Sequence, residues 1–236
     1  MDGPRYAVYF VPPACSDLYR FGARLLGYDC CSGEDLGHPP DIGLDAPAWE
    51  ELTHEPRQYG FHATLKAPFR LLSPFSETDL VAEFDRFAAL PRVPAAIEPA
   101  IRSIEEFIAI VPKSTSAALD RLAADCVTAF DRMRSPLTPQ ERHKRIVAGA
   151  SARQIENLDR WGYPFVFEDF RFHMTLTGAL NAGRHVSIIA LLQSRFERID
   201  GRRSLPITHI ALVRQENPAA RFRVLRRAKL TAANDC

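Results

Sequence analysis

The sequence predicts an α+β protein: two pseudo-symmetric lobes of mainly antiparallel sheet, backed by helices, around a central cleft. Three observations carry that expectation. Strand and helix patterns follow the order strand, helix, strand, helix, strand, strand, and the order occurs twice apart from extra central helices. The stretch Phe61-His62-Ala63-Thr64-Leu65 returns as Phe172-His173-Met174-Thr175-Leu176, with only the middle residue changed. The copies lie close to half the chain length apart, the spacing that duplication of a lobe produces.

Arg5 to Val11 is rich in aromatic and β-branched residues and stops at Pro12-Pro13, the pattern of a strand. Ser16 then caps a helix running to about Gly27, with Leu18, Phe21, Leu25 and Leu26 on one face. Residues 28–58 mix glycine, proline and acids without a sustained period and read as a long connection with short helical turns. Gly60 to Phe69 reads as a strand, Glu77 to Leu90 as a helix, and Ala96–Ile101 and Glu106–Val111 as two strands. Helices follow over Ser114–Met133 and Thr138–Arg160, the second opened by a cap, a first-turn proline and an early acid. Phe170–Gly178 is a strand, Val186–Phe196 a helix, and Pro206–Gln215 with Arg221–Leu230 a terminal hairpin. Nothing between the halves resembles a flexible linker, so 1–236 reads as one bilobed domain, lobe 1 over 1–113 and lobe 2 over 114–236.

Thirty basic against twenty-nine acidic residues give a net charge of +1, without the basic surplus of a protein that grips a long nucleic-acid backbone. A small phosphorylated substrate held by a few local cations fits this balance better than RNA. The start lacks a signal-peptide pattern and no apolar run reaches membrane-spanning length, so no membrane partner is expected. Five cysteines, two of them adjacent and none in a CxxC pair, suggest a reducing cytoplasm rather than disulfides or a thiolate metal site. No cofactor, metal or obligate protein partner is expected.

Strand alternation turns the repeat into chemistry, because side chains at i and i+2 share a face. His62, Thr64 and Lys66 fall on one face in the first copy; Arg171, His173, Thr175 and Thr177 do so in the second. Two such faces meeting across a cleft supply two imidazoles, hydroxyls and cations, the inventory for binding and opening a phosphodiester. One histidine activates water and the other protonates the leaving oxygen, each contributing roughly 10²–10⁴-fold. Threonine hydroxyls hold the non-bridging oxygens, and Lys66 or Arg171 offsets transition-state charge. Tyr59, just before the first motif, is a candidate phosphate or base contact or a packed loop aromatic. The remaining histidines, His38, His54, His143, His185 and His209, lack metal-ligand spacing and read as surface or structural groups.

The paired motifs resemble the 2H phosphoesterase superfamily, and within it the branch found with bacterial phosphonate-metabolism operons. The residues that carry the resemblance are Arg5 to Phe10, Tyr59 to Arg70, Arg160-Trp161-Gly162-Tyr163-Pro164 and Phe170 to Gly178. It implies His62 and His173 as the acid/base pair, Thr64 and Thr175 as phosphate binders, and a cyclic nucleotide or cyclic ribose phosphate as substrate. Two other readings compete: a non-catalytic nucleotide or RNA-end binding module, and an RNA-end processing enzyme using a rim of Arg202, Arg203, Arg214, Arg221 and Arg223.

Overall fold

The computed structural model describes residues 3–40, 42–200 and 203–233. The first strand, β1 (Arg5–Phe10), leads into α1 (Asp17–Leu26), which starts where the Ser16 hydroxyl accepts the Tyr19 amide and stops at Gly27 in the left-handed region. The connection expected over 28–58 contains a full helix, α2 (Ala46–Arg57), capped by Asp45 and anchored by the fully buried Trp49. Pro47 at its start and Pro56 inside its last turn hide the helical pattern from a reading of periodicity. Then come β2 (Ala63–Phe69), α3 (Glu77–Ala89), β3 (Ala95–Ile97), β4 (Pro99–Ile104) and β5 (Phe107–Pro112), three short strands where two were expected.

After α4 (Ala117–Asp131), the helix expected over 138–160 is two, α5 (Pro139–Arg145) and α6 (Ala152–Trp161). Gly149, at φ +75°, breaks the chain direction, and the Ser151 capping box starts the second helix. The second motif strand is short: β6 covers only Met174–Thr175. The chain closes with α7 (Ala182–Phe196), β7 (Leu205–Ile207), β8 (His209–Gln215) and β9 (Arg223–Lys229).

Strands pair in the orders β2-β1-β8-β9 and β4-β5-β6, all antiparallel, with β3-β7 as a separate ladder. Each motif strand is an edge of its sheet, beside the first strand of its own repeat: β2 beside β1, β6 beside β5. Neither main sheet follows a division at residue 113, because β8 and β9 complete the first and β6 completes the second. On the back of the first sheet Val8, Phe10 and Leu212 join the buried cluster formed with Leu80, Phe84 and Phe87 of α3 and Leu122, Cys126 and Phe130 of α4. The sheets also touch through Phe10 and Phe172, ring centroids 5.8 Å apart.

Candidate active site

Strand alternation expects His62, Thr64 and Lys66 on one face, and it fails at Lys66, four residues past the histidine. The ladder pairs Tyr9 with Thr64 and Val8 with Lys66, so Leu65 is an extra residue in β2. Tyr9 and Val8 face opposite sides of their strand, so Thr64 and Lys66 do too. The expectation that Lys66 shares the His62 face is therefore corrected. Lys66 is 2% exposed on the back of the sheet, where its amine donates to Asp131 Oδ1 at 2.8 Å and to the Val127 carbonyl at 3.2 Å.

His62 is fixed from three sides. Its Nδ1 lies 2.8 Å from the Gly60 carbonyl, which makes Nδ1 the donor and leaves the Nε2 lone pair free in the neutral ring. Nε2 then accepts from the Thr64 hydroxyl at 3.1 Å. The Tyr9 ring stacks on the imidazole at 3.7 Å. Gly60 sits at φ +73°, and an added Cβ would lie 2.5 Å from that of Cys30, so both backbone and space require glycine here. Phe61 is seated against Gly22 of α1, where a Cβ would meet its ring at 2.2 Å.

His173 repeats the key contact. Its Nδ1 lies 2.8 Å from the Arg171 carbonyl, again two residues upstream. Its aromatic neighbour is looser, Phe107 at 5.8 Å and 53°. Arg171 is exposed, and among the described residues its side chain makes no hydrogen bond or ion pair. Thr175 is half-buried beside Ala109, with its hydroxyl unengaged among the described residues. Thr177 differs from the expectation of a cleft-facing hydroxyl: it is fully buried and accepts the Ile108 amide at 3.0 Å, which holds the end of the motif to β5.

Burial, with the charge of His173 adding to it and the Gly60 carbonyl opposing it, holds the His62 pKa down at about 4. Burial also lowers the His173 pKa, and the Arg171 carbonyl opposes that. β2 and β6 are in contact, which brings both motifs to one cleft.

Tyr59 lies beside this pair, 6.2 Å from the His62 ring and stacked on Phe222 at 5.4 Å. Three neighbours were not among the expected site residues, although Arg5 and Tyr163 lie in stretches that carried the resemblance. Arg5 extends over Phe222 from the first residue of β1, and Arg145 reaches in from the end of α5. Tyr163 follows the α6 cap, and burial raises its phenol pKa. Of the arginine rim, Arg214 pairs with Glu77 and Glu216 and Arg221 with Asp35, while Arg202 lies outside the described residues. Among the described residues no cluster of three His, Cys, Asp or Glu side chains is placed to ligate a metal. Among the described residues no helix is long and apolar enough to cross a membrane.

The family described as "Protein of unknown function (DUF1045)" matches residues 64–223. A "Ribose 1,5-bisphosphate phosphokinase PhnN" of Janthinobacterium sp. (strain Marseille) is 38% identical over 221 residues, 92% of this chain and 49% of that protein. The chain belongs to the DUF1045 family. The protein of the same name from Laribacter hongkongensis (strain HLHK9) is 32% identical over 94% of this chain and 51% of its own length. The chain thus spans about half the length of the curated relatives it matches. Among solved structures, E. coli LigT complexed with 3'-AMP aligns over 98% of this chain and 99% of its own at 13% identity and a TM-score of 0.47. One described only as a phosphoesterase covers 96% and 98%, at 14% identity and 0.44. The paired motifs and two antiparallel sheets of this DUF1045 chain agree with the 2H resemblance seen in the sequence.

Proposed function

We propose that this DUF1045 protein is a 2H-type phosphoesterase that opens a small cyclic phosphodiester without a metal, with His62 as base and His173 as acid. The observation that carries this reading is the matched orientation of the two imidazoles. Each Nδ1 lies 2.8 Å from the carbonyl two residues upstream, which leaves each Nε2 as the nitrogen with the lone pair, that of His62 met by the Thr64 hydroxyl until substrate enters. Neutral His62 Nε2 takes a proton from water as the water oxygen attacks phosphorus. The bond from phosphorus to one ring ester oxygen breaks, and that oxygen takes the proton on His173 Nε2. The product is a phosphomonoester with a free hydroxyl, and solvent returns the histidines to their starting charge. The anionic substrate raises the pKa of both imidazoles, which brings His173 into its acid form near neutral pH. In this reading the Thr175 hydroxyl and Arg171 meet the non-bridging oxygens, and the Thr64 hydroxyl does so once it turns from His62 Nε2.

The names of the curated relatives point to ribose phosphates as the surrounding chemistry. Their kinase activity is not carried over, since no G-x-x-x-x-G-K-[S/T] phosphate loop occurs in these 236 residues. The test is turnover of 2′,3′-cyclic nucleotides and ribose 1,2-cyclic phosphate 5-phosphate in the presence of EDTA. Chelator-resistant ring opening that is lost in His62→Ala and in His173→Ala is the expected result. Turnover abolished by EDTA and restored by a divalent ion, or unchanged in either variant, rejects the proposal.

A further inference from the structure

Arg5 and Arg145 come together beside the cleft although 139 residues separate them, and neither is in a salt bridge among the described residues. Arg5 donates Nε to the neutral Gln215 amide at 2.6 Å and sits over Phe222. Arg145 donates to the Pro68 carbonyl at 2.8 Å and to the Gly162 carbonyl. The nearest acid, Glu141, is already engaged by Arg70 and by the Thr138 amide. Arg70 and Arg145 therefore have Glu141 between them and Arg5 has only an amide oxygen, a local surplus of positive charge in a chain whose overall charge nearly cancels. Burial depresses the Arg145 pKa, and the positive charge of Arg5 adds to the effect. Two guanidiniums held near each other, on carbonyl and amide oxygens alone, keep N–H donors for an anion that neutralises both.

The surrounding side chains suit a phosphate. Tyr59 and Tyr163 lie within electrostatic reach of Arg145, and neither phenol makes a hydrogen bond among the described residues. The cluster is joined to the reacting centre by a chain of rings. Arg5 lies 5.5 Å from the Phe222 centroid, Phe222 stacks on Tyr59, and Tyr59 is 6.2 Å from His62.

We propose that Arg5 and Arg145, with the Tyr59 and Tyr163 hydroxyls, form a second anion subsite that takes a terminal phosphomonoester of the substrate. The inference rests on the phosphoesterase reading for what occupies the cleft: a cyclic phosphodiester carrying a second phosphate at the other end of its sugar.

The experiment compares adenosine 2′,3′-cyclic phosphate with and without a 5′-phosphate, on wild type, Arg5→Gln and Arg145→Gln. Wild type should prefer the 5′-phosphorylated compound by about tenfold or more in kcat/KM, and either variant should reduce that preference to about threefold or less. Equal turnover of both compounds by wild type, or an unchanged preference in both variants, overturns the subsite. Arg145 also braces two carbonyls, so thermal unfolding is measured in parallel, and Arg5→Gln decides the matter if Arg145→Gln is unfolded. If wild type opens neither compound, nor ribose 1,2-cyclic phosphate 5-phosphate, the phosphoesterase reading fails, and binding of ribose 5-phosphate by calorimetry then tests the subsite alone. Affinity about tenfold weaker in Arg5→Gln but retained in His173→Ala supports it; affinity unchanged in Arg5→Gln overturns it.

Discussion

The two motif copies present the same histidine in different surroundings, and the difference comes from one cross-strand neighbour. In the first copy the residue paired with the motif threonine is Tyr9, whose ring stacks on His62. In the second it is Ala109, and His173 has only the tilted Phe107 ring beside it. Thr64 is tied to its own histidine, whereas Thr175 has no partner among the described residues. Both imidazoles are held alike through Nδ1, while the Tyr9 ring covers that of His62. In the proposed mechanism a difference in pKa biases which imidazole holds the proton and which takes one.

The largest effects come from the histidines themselves. His62→Ala and His173→Ala are each expected to reduce kcat by roughly 10²–10⁴-fold with the fold retained. A diester with a p-nitrophenolate leaving group sharpens the comparison, since that group leaves without protonation. On it His173→Ala should recover most of its loss while His62→Ala should not. Equal rescue of both variants breaks the assignment of acid and base, and rescue of His62→Ala alone reverses it.

Tyr9→Leu tests the asymmetry at its source. Without the stacked ring, water reaches the imidazole and the His62 pKa rises from about 4 toward its ordinary value. The acid limb of kcat/KM should move to higher pH, with activity at neutral pH lowered about tenfold. An unshifted limb means that Tyr9 does not set the His62 titration.

The same depression makes a stability prediction. The unfolded chain protonates His62 near the ordinary histidine value and the folded one near 4, so the unfolded state binds more protons between those values. Stability is complete above that window and is lost as pH falls through it, by no more than about 3 kcal/mol. Thermal unfolding of His62→Gln should show a shallower fall from pH 6.5 to 4 than wild type. Parallel profiles remove His62 from the acid sensitivity.

The comparison also explains what alternation in the sequence reveals and where it stops. His62, Thr64, His173 and Thr175 were legible because residues two apart share a face and the motif recurs. Lys66 and Thr177 were misplaced by events that alternation does not encode: an extra residue at Leu65, and a strand β6 that pairs for only two residues. Helix α2 was hidden by its two prolines, and the α5–α6 break by a single glycine. Arg5 opens a stretch that carried the resemblance but had no role assigned, and Arg145 lies in no motif; the tertiary course of β1 and α5 brings them to one place.

Lys66 gives the smallest expected effect on rate and the cleanest separation of the two faces of β2. Its ammonium is buried against Asp131, and burial lowers its pKa to about 8. Lys66→Met keeps much of the volume and removes the charge. Asp131 retains Arg134, whose Nε donates to Oδ1 at 2.8 Å, so the carboxylate is not left uncompensated. The expected cost is about 1–2 kcal/mol of stability, well below that of orphaning a buried charge. Turnover at a temperature where both proteins are folded should stay within about threefold of wild type, because the amine lies behind the sheet. A loss as large as that of the histidine variants, with the fold intact, restores Lys66 to the cleft and means that Leu65 is not an extra residue in the working enzyme.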